Sequence, residues 1–220
     1  PARSKFDFGH VRQHAIHEMI VYHMFDRLKV PTAVWSGLLP LTSAFGNNID
    51  INDSGALTLN AVDTGGATIT VVSAGLLTAT SVGNGTNVGI DLTGSGIVAG
   101  SIDAGTNGQV TLGSGVAGIS DGNATANNIT AATLITNSAT GVGVGDAIET
   151  TLSNSFNFTD TGTAGVQITN ASTGSLQITG STVGGDIAIQ QSGTGGALTL
   201  SAAQDVTSGG GAITLVADNI

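Results

Sequence analysis

The sequence predicts an all-β fold, a parallel β-helix (β-solenoid), behind a short N-terminal α-helix. Three observations point there. Apolar and polar residues alternate in short runs that recur about every ten residues from about residue 47 onward. Glycine supplies 34 of the 220 residues, enough to punctuate every such run with a turn. Aromatic residues make up only 4 % and charged residues only 9 %, too few for an ordinary mixed α/β core.

Charge divides the chain before any element is assigned. All five basic residues (Arg3, Lys5, Arg12, Arg27, Lys29) and all four histidines (His10, His14, His17, His23) lie in the first 29 positions. Beyond them stand 12 of the 15 acidic groups and no cation. Residues 1–46 are therefore read as a leader, a helix followed by an apolar linker or signal-like segment, and residues 47–220 as the solenoid. The net charge of −10 leaves almost nothing to neutralise phosphates, which argues against nucleic acid as a partner. The absence of cysteine excludes disulfides, thiolate metal sites and a cysteine nucleophile.

The leader reads as a helix because His10 to Lys29 contains neither Gly nor Pro. Asp7 or Gly9 can start it, and Pro31 stops it. His10, His14, His17, Val21, Met24 and Leu28 fall in one coiled-coil-like stripe, widened by Ile16, Ile20 and Phe25. Three imidazoles at i, i+4 and i+7 beside Glu18 invite a metal, but no fourth ligand is placed to complete a site, so a packing face is the preferred reading. Ala33 to Leu41 is an apolar run after a basic region, with small residues at Thr42-Ser43-Ala44. It reads either as an uncleaved export signal or as a structural linker that imitates one, and is too short, and too disrupted by Pro40, to span a membrane as a helix.

The solenoid is read from its repeats. Gly55-Ala56-Leu57-Thr58-Leu59, Gly66 to Val71, Gly108 to Leu112, Gly165 to Ile168, Gly196 to Leu200 and Gly211 to Leu215 share the form Gly-x-apolar-x-apolar. Each is a strand with one buried face. Ile168, Ile178, Ile189, Leu200 and Leu215 are the equivalent inward positions toward the C-terminus. A two-sheet sandwich needs bulky residues to fill its core, yet beyond Gly46 the aromatics are Phe156 and Phe158 alone. Inward Val, Ile, Leu and Ala suit the narrow interior of a β-helix. Coils of about 20 residues stacked about 4.8 Å apart would give eight or nine coils.

The run Ser138 to Thr151, GVQITNASTGSLQITG from Gly165 and GGALTLSAAQDVTSGGGAITLVADNI from Gly195 resemble the strand repeats of very large bacterial exoproteins. These are the filamentous-haemagglutinin-like adhesins of two-partner secretion and related autotransporter passengers. The resemblance covers roughly residues 47–220. It implies a right-handed winding, export across the envelope, and a role in adhesion or surface structure.

Sites for chemistry are sparse. Asp50, Asn52 and Ser54, followed by Gly55, open like a calcium loop, although Ala61 stands at the twelfth position and Asp63 would have to supply the last ligand. An Asx-rich turn is the preferred reading, with calcium the candidate cofactor. Gly143-Val144-Gly145-Asp146 and Gly184-Gly185-Asp186 are near misses to the calcium-binding β-roll nonapeptide. Asp160, Asp186 and Asp205 are the carboxylates that adjacent coils would have to align for glycan hydrolysis. A body without histidine cannot form a Ser-His-Asp triad. Asn52, Asn84, Asn123, Asn128, Asn157 and Asn170 head Asn-x-Ser/Thr sequons, a number largely expected by chance in a chain this rich in Asn and Thr, though it would allow surface glycosylation. The Thr-x-Thr pairs are too irregular for an ice-binding face.

The expectation is thus a non-enzymatic, extracellular or cell-surface structural or adhesive solenoid, a fibre subunit associating head to tail or a stretch of a longer chain, touching a surface glycan or protein. The alternative is a glycan-active enzyme or a calcium-dependent glycan-binding module on the same scaffold.

Overall fold

The structure is a computed structural model. It describes residues 41–42, 48–83, 85–200 and 205–219, all within one compact unit, Thr32–Ile220. The helix expected over His10–Lys29 and the segment from Ala33 to Pro40 lie outside the described residues. Among the described residues there is no helix.

In chain order the strands are β1 (Leu41–Thr42), β2 (Ile49–Asp53), β3 (Leu57–Leu59), β4 (Val62–Asp63), β5 (Ile69–Ser73), β6 (Leu76–Gly83), β7 (Gly89–Gly94), β8 (Gly96–Asp103) and β9 (Gln109–Ser114). Then follow β10 (Ile119–Asp121), β11 (Ile129–Ser138), β12 (Ile148–Asp160), β13 (Val166–Asn170), β14 (Ser175–Thr182), β15 (Ile187–Gln191), β16 (Ala197–Thr199), β17 (Val206–Ser208) and β18 (Ile213–Val216). The strands of successive coils pair in parallel, each with strands one coil away; the sequence neighbours β11–β12 and β12–β13 pair because they too lie on successive coils. That is the signature of a β-solenoid.

One ladder shows the stacking. Ile51, Val71, Leu92, Leu112, Thr136, Phe158, Gly180 and Val206 succeed one another as register partners through β2, β5, β7, β9, β11, β12, β14 and β17. About seven coils result, fewer than a constant period would give. The reason is that the coil lengthens, from 20 residues between Asn48 and Thr68 to 26 between Thr179 and Asp205. A second ladder runs Leu57, Leu77, Ile97, Ile119 and continues through isolated bridges to Val142 and Val166. A third runs Val62, Val82, Ile102, Ile129, Thr150, Asn170, Gln191.

Alternation along each strand decides what faces in. Ile69, Ile90, Val110 and Leu134 stack in one inward column beside Val71, Leu92 and Leu112, all at most 1 % exposed. Burying each such aliphatic side chain contributes about 1.5–3 kcal/mol. The Gly-x-apolar-x-apolar segments all contain strands, namely β3, β5, β9, β13, β16 and β18. Ile168, Ile178 and Ile189 are buried as expected. Leu200 is not: it is 53 % exposed, and Leu198 is the buried residue. Leu198 pairs with Leu176, whereas Leu200 lies past the end of β16.

Part of the interior is polar. Ser73, Ser114, Ser138, Asp160 and Thr182 are buried at strand ends of the first ladder, where each chain reverses. Ser138 Oγ donates to Gly141 O (2.7 Å) and accepts from Gly141 N (3.0 Å). Thr182 Oγ1 donates to Gly185 O, and Ser114 Oγ to Ala117 O. Asp160 accepts from the N–H groups of Gly162 and Gly165. These side chains satisfy turn backbone that would otherwise be buried without partners.

Candidate functional site

Residues on either side of the Ile51–Val206 column face outward from the first ladder. One outward row runs Asp50, Thr70, Asp91, Thr111, Ile135, Asn157, Thr179. The other runs Asn52, Val72, Thr93, Gly113, Asn137, Thr159, Ser181, Thr207. Carboxylates enter the first row at Asp50 and Asp91, and Asp205, just before β17, comes beside Thr179. The rungs of Thr111, Ile135, Asn157 and Thr179 carry none on either row.

Three of those rungs enclose a shallow trough of about 250 Å³. Ile135, Asn157 and Thr179 wall one side, Asn137, Thr159 and Ser181 the other, and Thr136, Phe158 and Gly180 lie between the rows. Two residues along a strand separate the walls by about 6.8 Å. Asn137, Thr159 and Ser181 are exposed, and Ile135, Asn157 and Thr179 half-buried. Thr179 Oγ1 donates to Asp205 O. The side chains of Asn137, Asn157, Thr159 and Ser181 make no hydrogen bond among the described residues, so their donors and acceptors face solvent.

Contrast the buried amides. Asn170 Nδ2 donates to Gln191 Oε1 (2.7 Å) and Leu152 O, while its Oδ1 accepts from Leu152 N and Thr150 Oγ1. Asn128 is equally committed, to Ala99 O, Asp121 Oδ1, Asn123 Oδ1 and the Glu149 N–H. Both asparagines are fully buried, so neither of their sequons is a surface site. Asn52 is exposed, Asn123 and Asn157 are half-buried, and Asn84 is outside the described residues.

The calcium candidate is a strand followed by a turn. Asp50 and Asn52 project side by side from extended β2, both exposed, and Ser54 follows that strand. Asp63, the stand-in for the last ligand, accepts from the Gly65 N–H at 2.7 Å. Among the described residues no group of three or more His, Asp or Glu side chains comes together to hold a metal ion. Asp160, Asp186 and Asp205 occupy three separate positions around the coil. Asp160 is in line with Thr182, Asp205 lies beside Thr179, and Asp186 accepts from Ala212 N. The register does not bring these three carboxylates together.

Four aspartates organise turns. Asp63, Asp103, Asp121 and Asp160 each accept a backbone N–H two residues on. Glu149 differs. Its Oε2 is buried with no partner among the described residues, and burial, with Asp121 and Asp146 adding repulsion against a backbone hydrogen bond that opposes them, raises its pKa above the usual glutamate value.

No family model, curated protein or solved structure matches the chain. The trough residues do not stand out in the sequence. The signal that could have found them is a carboxylate-free stretch of outward Asn, Thr and Ser on successive strands, which requires the register to be known.

Proposed function

We propose that the chain is a structural or adhesive β-solenoid working outside the cell, a right-handed rod serving as the subunit of a surface fibre assembled head to tail. One observation carries this reading: the strands of successive coils pair in parallel in one unbroken ladder from Ile51 through Val71, Leu92, Leu112, Thr136, Phe158 and Gly180 to Val206, and repetition of this kind builds an extended stacked surface. The style of the repeats, similar to that of large bacterial exoproteins, supports the extracellular and adhesive parts of the reading.

Electron microscopy of the purified full chain tests it. Rods or fibres with an axial spacing of about 4.8 Å are expected. Compact globules that stay monodisperse would contradict it.

A further inference from the structure

We propose that the trough across β11, β12 and β14 binds a neutral linear oligosaccharide lying along the solenoid axis. This rests on the adhesive reading above and gives it a site and a ligand class. Sugar rings carry hydroxyls at their edges and apolar C–H faces, and the trough offers both complements. Asn137 and Asn157 each present an amide donor and acceptor, and Thr159 and Ser181 present hydroxyls. None of these four side chains is engaged within the described protein, so a ligand need not break an internal hydrogen bond. Ile135, half-buried in the same wall, is the one apolar side chain of its outward row and supplies the surface for a C–H face.

Electrostatics selects neutral over acidic sugars. The chain beyond Lys29 holds 12 carboxylates and no cation, so an anionic polysaccharide meets repulsion at every approach. The trough coincides with the part of the two outward rows, from the rung of Thr111 to that of Thr179, that carries no carboxylate, where uncharged hydroxyls meet uncharged partners. Open, shallow geometry makes each contact weak, and repetition along a fibre turns weak contacts into avidity.

The test uses the full chain on an array of cello-, xylo-, manno- and malto-oligosaccharides, with oligogalacturonate as the acidic comparison. Binding to at least one neutral oligomer is expected, weakened about ten-fold or more by Asn157→Ala combined with Thr159→Ala. The pair Thr58→Ala and Thr78→Ala, on the second ladder, leaves it unchanged. Failure to bind any neutral oligomer, equal binding of oligogalacturonate, or wild-type binding by the Asn157/Thr159 variant overturns the proposal. Micrographs of the same samples separate the two readings. Rods without sugar binding overturn the ligand assignment alone, and globules overturn the adhesive fibre beneath it.

Discussion

Gly180 stands opposite Phe158 in the first ladder, and a Cβ added to Gly180 would come within 2.6 Å of Phe158 Cγ and Cδ1. The ring of Phe158 also stacks on Phe156, 5.1 Å away between centroids. On its other side the same column holds Thr136 rather than Leu or Ile. The largest side chain of this column is therefore flanked by two small ones, and the coil keeps its width.

Gly180→Ala should destabilise the fold by about 1–3 kcal/mol through overpacking. Phe158→Leu in the same chain should restore only part of the loss, because the added methyl also strikes the Phe158 carbonyl. Urea unfolding of the single and double variants measures both.

The register makes opposite forecasts for two leucines that look alike in sequence. Leu198→Ala should cost about 2–5 kcal/mol, and Leu200→Ala about 0.5 kcal/mol or less. Equal costs in thermal unfolding would show that β16 is placed in the wrong register.

Asn170→Leu should cost about 2–3 kcal/mol, since Leu152 N and Gln191 Oε1 lose their buried partner. Asn157→Ala, on the outer face, should change unfolding stability by about 0.5 kcal/mol or less. Denaturant midpoints for the two variants check the distinction between a structural amide and an available one.

Glu149 sets a pH dependence. Its pKa is raised in the fold, chiefly by burial and secondarily by Asp121 and Asp146, so the folded state holds the proton more tightly than the unfolded chain. Its penalty is absent below the ordinary glutamate pKa, where both states are protonated. It grows as pH rises and is complete above the raised value. Glu149→Gln should therefore raise the unfolding temperature at about pH 7 and leave it unchanged near pH 3. A shift of equal size at both pH values would contradict burial of the charged carboxylate as the cause.

Much of the fold is legible in the sequence because period-two alternation records which face of a strand is buried. The runs around Leu57, Ile69, Val110, Ile168 and Ile213 all mark strands. Register is not legible, because the coil length varies and a single sequence does not say which residues become neighbours one coil apart. Leu200 looks like an inward residue for that reason, and Asn128 and Asn170 read as surface sequons although they are core amides. Ser138 and Thr182 look like any turn residues until stacking places them inside. The candidate site depends on register throughout: Asn137, Asn157, Thr159 and Ser181 are ordinary polar residues until three coils align them.

The most direct test of the stacking is a spin–spin distance. The chain contains no cysteine, so Asn52→Cys with Thr207→Cys gives a clean pair of labelling sites at the two ends of one outward row. Seven parallel steps of about 4.8 Å place their backbones about 34 Å apart, and a single narrow distribution near that value, broadened only by the label linkers, is the expected result. A distance near the ~10 Å between two facing sheets, or a broad distribution without a maximum, would contradict the solenoid and everything derived from its register.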